Sequence, residues 1–149
     1  MTEVYLPDAA ATHALGRRIG RAAFPGAVIA LCGDLGAGKT ALTRGLAEGL
    51  DCGAVVQSPT FVLSMRHEGR LPLVHADAWR LGTGEELEAL ELLEEAVDGV
   101  LALEWADRFP EVLPADHLRV DLAPSGEGRV ARIEASGPRH HPLEVAAGG

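Results

Sequence analysis

Residues 33–40 read GDLGAGKT, and no other stretch constrains the fold of this 149-residue chain as tightly. Gly33, Gly38, Lys39 and Thr40 fit the pattern G-x-x-x-x-G-K-[ST], whose glycines let backbone N–H groups converge on an anion. Such a turn serves only between a buried strand and the first turn of a helix, where the helix dipole adds its positive end. Both flanks are present. AVIALC (27–32) is apolar throughout, as a strand covered on both faces should be, and residues 39–50 predict a helix. The unit belongs to an α/β fold with parallel strands.

Lys39 is also the sole lysine; every other basic side chain of the 13 is an arginine. A compact ammonium on a flexible stem reaches into the centre of such a loop, where a planar guanidinium is too bulky. The nucleoside triphosphate that this implies is preferentially ATP. Guanine-specific loops of this kind usually carry N-K-x-D, and no second lysine exists to supply it. Mg²⁺ accompanies the phosphates, with the Thr40 hydroxyl as one ligand.

The rest of the chain supplies layers around that unit. Residues 8–24 place Ala11, Leu15, Ile19 and Ala22 on one helical stripe, with Arg17, Arg18 and Arg21 mostly off it. Two apolar segments around EGR predict a hairpin over 61–77, and two alternating segments around PSGEG predict another over 118–136. EELEALELLEEAV (85–97) predicts one acidic amphipathic helix, most simply a solvated face, and VLALEW (100–105) a short buried strand. The expected architecture is a single domain over 1–137, α/β, with a mixed, mainly parallel sheet flanked by helices and a C-terminal hairpin. The tail 138–149 is expected to be weakly ordered.

Composition excludes several classes. No apolar run reaches the length of a membrane span, and the N-terminus lacks the charged start and apolar middle of a signal peptide. Cys32 and Cys52, without metal-ligand spacing, fit reduced thiols of a cytoplasmic protein. A net charge of −9 argues against a large electrostatic footprint for nucleic acid.

Two apolar runs end in acids, LPLVHAD at Asp77 and VLALEW at Glu104. At the carboxyl ends of strands beside the loop strand, one acid can hold the metal while the other polarises an attacking water. Each acid is otherwise a strand cap or a partner of Arg80 or Arg108. His75 shares a side with Asp77 by the period of a strand, and is more simply a structural histidine. Trp105 is most simply a buried anchor.

GDLGAGKT, then SPTF (58–61), HADAWRL (75–81) and EW (104–105), in this order and spacing, closely resemble the TsaE family of small bacterial P-loop ATPases of tRNA threonylcarbamoyladenosine biosynthesis. The likeness runs from LPD near the N-terminus to GRVARIEA. The family pattern H-x-D-x-Y-R-L has Trp79 in the tyrosine position. The resemblance implies a cytoplasmic ATPase acting with two partners, TsaD and TsaB, which carry the transfer of threonylcarbamoyl to adenosine and hold the tRNA. It implies that Leu35, Gly36, Ala37, Gly38, Lys39 and Thr40 cradle the phosphates, that Thr40 and Glu104 hold Mg²⁺, and that Thr60 and Asp77 are needed for hydrolysis. Gly128 is the expected second contact with the nucleotide. The alternatives are a small-molecule kinase, disfavoured because the acidic segment has no arginine for a lid, and a nucleotide-dependent binding module without essential hydrolysis.

Overall fold

The computed structural model describes residues 1–33, 38–53 and 64–149. Seven strands form one sheet: β1 (Thr2–Leu6), β2 (Ala27–Cys32), β3 (Ser64–His67), β4 (Leu73–Asp77), β5 (Val100–Glu104), β6 (Leu118–Ser125) and β7 (Gly128–Ala135). Their spatial order is β1-β7-β6-β2-β5-β4-β3. The four central strands β6, β2, β5 and β4 run parallel, and the antiparallel pairs lie towards the two edges. This is the mixed, mainly parallel α/β sheet that the sequence predicts.

Two helical layers cover it. On one face α1 (Ala9–Ala22), α2 (Lys39–Gly49) and α5 (His141–Ala147) pack over Ile29, Leu31, Leu118 and Ile133. On the other, α3 (Gly84–Ala89), α4 (Leu92–Glu95) and two short 3-10 turns pack over Val28, Ala30, Leu101 and Leu103. β2 is therefore buried on both faces, which is why it is apolar at every position, and β5 is likewise buried and apolar up to Glu104.

α1 starts where Asp8 Oδ1 accepts a hydrogen bond from the Ala11 amide at 2.8 Å. It lies against α2 almost backbone to backbone. A Cβ on Gly45 would stand 2.0 Å from the His13 carbonyl oxygen, and one on Gly16 would stand 2.1 Å from that of Leu42. Only glycine allows that approach.

Two expectations need correction, and one strand is unexpected. Residues 85–97 are not one helix, because Glu91 turns left-handed (φ 54) between α3 and α4. Leu87 and Leu92 are five positions apart, about 140° around a straight helix, and the break lets both reach the core. The tail is not weakly ordered: α5 buries Leu143 and Ala147, and His140 before it is buried too. β1 has no counterpart in the sequence reading; it pairs with β7, from the far end of the chain. The SPTF segment lies outside the described residues.

Candidate functional site

The site forms at the carboxyl ends of β2, β5 and β4. Leu31 pairs with Glu104 in parallel register, and Glu104 pairs with Asp77. Register partners on parallel strands face the same side, so both carboxylates stand on the face that carries α2. Gly33 (φ 138) follows β2, and Gly38 (φ 101) caps the start of α2. Gly38 is in the left-handed region that favours glycine, which accounts for its place in the motif.

Lys39 opens α2 and is 5 % exposed. Its Nζ donates to the Gly33 carbonyl at 2.9 Å, lies 4.0 Å from Glu104 Oε1 and sits 3.9 Å above the centre of the Trp105 ring. Burial pulls the Lys39 pKa down, and the charges of Glu104 and Asp77 pull it back up. The opposite holds at Asp77: burial raises its pKa, the hydrogen bond from the Trp79 amide lowers it, and the Glu104 charge raises it again.

Glu104 is pinned from its other side. His75 Nε2 lies 2.5 Å from Glu104 Oε2, both side chains being buried. The histidine is thus a core residue, as the simpler reading has it, and it also holds the carboxylate in place. Among the described residues its Nδ1 is buried without a hydrogen-bond partner. Trp105 adopts a left-handed conformation (φ 59) and donates its amide to the Leu31 carbonyl at 3.0 Å, which tucks its ring beneath Lys39. Trp79 stacks on Trp105 with ring centres 4.6 Å apart and is half exposed. This aromatic pair carries no spacing signal, because the strand register alone brings the two rings together.

Among the described residues Arg108 is not the partner of either acid. Arg108 donates to the Ala78 carbonyl at 3.2 Å and to the Trp79 carbonyl, so it braces the turn after β4.

Thr40 is the second residue of α2 and is partly exposed beside this cluster. Leu35, Gly36, Ala37 and Thr60 lie outside the described residues. Gly128 begins β7 opposite Ser125 at the carboxyl end of β6, the same end of the sheet as Glu104, and lines a cavity of about 300 Å³ together with Pro7, Asp8, Thr12, Gly38 and Ala41. The cavity therefore opens on the start of α2 and is walled by the link between β1 and α1. A side chain on Gly128 has no room, since its Cβ would stand 2.5 Å from the Leu6 carbonyl oxygen. Residues 7–12 enter this wall because β1 pairs with β7, a pairing of sequence-distant segments that local patterns do not reveal.

These features meet an independent finding. The family model described as threonylcarbamoyl adenosine biosynthesis protein TsaE matches residues 6–132. The chain belongs to the TsaE family. It is 41% identical over 133 residues to the tRNA threonylcarbamoyladenosine biosynthesis protein TsaE of Nostoc sp., covering 86% of this chain and 82% of that one. To the TsaE of Bacillus subtilis it is 39% identical over 135 residues, covering 89% and 84%. The crystal structure of YdiB from Bacillus subtilis superposes with a TM-score of 0.82 at 31% identity, over 98% of this chain and 93% of that chain. Membership in the TsaE family places the chain in tRNA threonylcarbamoyladenosine biosynthesis. Among the described residues no helix is long and apolar enough to cross a membrane.

Proposed function

We propose that this TsaE-family chain binds ATP with Mg²⁺ at the start of α2, hydrolyses it slowly, and so drives or resets the threonylcarbamoyl-transfer assembly of TsaD and TsaB. One observation carries the reading. The only lysine of the chain is buried at the N-terminus of α2, 4.0 Å from Glu104, whose register partner on the adjacent strand is Asp77. A buried ammonium in that position is hard to account for by stability alone, since burying an ion pair gains little over an apolar pair.

The donor set fits a magnesium ion. Among the described residues there is no group of three or more His, Cys, Asp or Glu side chains that could hold a metal by itself. Magnesium does not need one, because it takes one or two hard oxygens from the protein and the rest from phosphates and water. Thr40 and Glu104 are the residues that would hold it. When bound, the ion neutralises charge on the β- and γ-phosphate oxygens.

The chain's own groups have distinct parts. Lys39 exchanges its contact with the Gly33 carbonyl for phosphate oxygens. His75 keeps the Glu104 carboxylate from turning away. Asp77, whose proton affinity is raised by burial, is suited to accept a hydrogen bond from an attacking water. The cavity between Pro7–Thr12 and Gly128 receives the nucleoside. Among the described residues Arg108 is engaged by backbone carbonyls, consistent with slow turnover until a partner completes the site.

The test is twofold. Calorimetry with Mg·ATP should detect binding by the folded chain, and ATP turnover should rise when TsaD and TsaB are added. A deletion strain rescued equally well by this gene and by its Lys39→Ala form, with no stimulation of turnover, would overturn the proposal.

A further inference from the structure

The acidic segment 84–98 holds seven Asp and Glu residues and no basic one, and the nucleotide site makes no use of it. The structure turns it into one side of a groove of about 380 Å³, on the sheet face opposite α1 and α2. The floor is apolar, made by Leu92, Leu101, Val112 and Leu113. Leu93, 38 % exposed, lines the same groove and carries its apolar surface out to the solvent.

The lip is anionic. Glu88, Glu91 and Glu94 all line the groove, and none of them enters an ion pair among the described residues. Arg66, a basic side chain in contact with the segment, is taken by Glu68 and Asp98 and by the Glu95 carbonyl. The left-handed turn at Glu91 creates this geometry: it sends Leu87 and Leu92 inward and leaves the carboxylates on the rim.

An apolar floor with like charges crowded on its lip selects its occupant. Phosphates, nucleic acid and acidic peptides are repelled by the rim. A neutral apolar ligand leaves the carboxylates crowded. A second copy brings another surface of net charge −9. A segment with apolar residues at helical spacing, flanked by Lys or Arg, answers both the floor and the lip. We propose that this groove docks a cationic amphipathic segment of a partner protein. The inference is independent of the nucleotide reading, because the groove and the Lys39 site lie on opposite faces of the sheet.

The probe is a fluorescein-labelled peptide of leucine and lysine with leucines at helical spacing, compared with a scramble of the same composition. Anisotropy at physiological salt should show the patterned peptide binding at least about tenfold more tightly than the scramble. Amide NMR shifts should cluster at residues 87–94 and 112–113. Glu88→Lys/Glu94→Lys and, separately, Leu93→Asp should each weaken binding about tenfold, whereas Glu3→Lys/Glu134→Lys, remote from the groove, should change it less than about twofold. Equal binding of the two peptides, scattered shifts, or an equal loss in the remote variant would each overturn the proposal. So would groove resonances that shift with protein concentration alone, which would assign the face to a second copy. Mg·ATP affinity measured on the same variants separates a failure here from a failure at the nucleotide site.

Discussion

The ammonium of Lys39 lies 4.0 Å from the carboxylate of Glu104, and the two side chains are only 5 % and 6 % exposed. His75 closes the other side of that carboxylate, so Glu104 is the one anion shared by two buried nitrogen groups. Glu104→Ala should therefore cost about 3–5 kcal/mol of stability, the range for breaking one side of a buried ion pair. Glu104→Gln, which keeps a hydrogen-bonding oxygen, should cost less while weakening Mg²⁺-dependent nucleotide binding. Urea unfolding of both variants, with calorimetry alongside, checks the split.

Asp77 accepts the Trp79 amide at 2.8 Å, a bond that the amide oxygen of asparagine can also accept. Asp77→Asn should leave the fold and ATP affinity nearly unchanged. Turnover in the presence of the partner proteins should fall by about 10²–10⁴, the usual contribution of a general base. Equal losses in affinity and turnover would instead mark Asp77 as a binding residue.

Gly128 faces the link between β1 and α1 with no space for a methyl group. Its Cβ would stand 2.5 Å from the Leu6 carbonyl oxygen, 2.9 Å from the Tyr5 hydroxyl and 3.0 Å from the Pro7 Cα. Gly128→Ala should cost about 1–3 kcal/mol through overpacking. It should also weaken ATP more than it weakens inorganic triphosphate, because the displaced wall lines the cavity proposed for the nucleoside. A competition assay with the two ligands reads the difference.

His140 accepts the Val28 amide on Nε2 at 2.9 Å and turns Nδ1 towards Asp116 Oδ1 at 2.8 Å. Only the neutral ring can accept that amide. Burial accordingly holds its pKa below the usual histidine value, against the opposing pull of Asp116. Arg139 and His117 disfavour the charged form as well, and the uncharged Phe24 ring packs edge-on against the imidazole. The unfolded chain then binds more protons than the native one over this window. The stability contributed by the neutral ring should be complete above about pH 6.5 and fall as pH drops through the lower native value. Urea midpoints measured from pH 7.5 to pH 5 should decline for the parent and decline less steeply for His140→Asn.

The parts legible in the sequence are those fixed by neighbours along the chain. AVIALC, the phosphate-loop glycines and Lys39 announce β2 and α2, and both hairpins follow from alternation around turn residues. The sharing of a side by His75 and Asp77 follows from the period of a strand, but its consequence does not. That depends on β4 lying beside β5 in a register that sets Glu104 next to both. The pairing of β1 with β7, and the docking of α5 under His140, join the two ends of the chain and leave no local pattern to read. The break at Glu91 was hidden for another reason: a single helix and two short ones share nearly the same apolar spacing until the sheet decides which leucines must turn inward.

The seam between α1 and α2 acts as a ruler. The two helices run side by side from Asp8 and from Gly38, both at the cavity that Gly128 lines, and their separation is set by peptide carbonyls resting on glycine carbons. Side chains at a contact can reshuffle when a neighbour changes; backbone cannot. The gauge between the wall proposed to meet a sugar and base and the turn proposed to meet phosphates is thus built in at folding, and a ligand there must match it rather than reshape it.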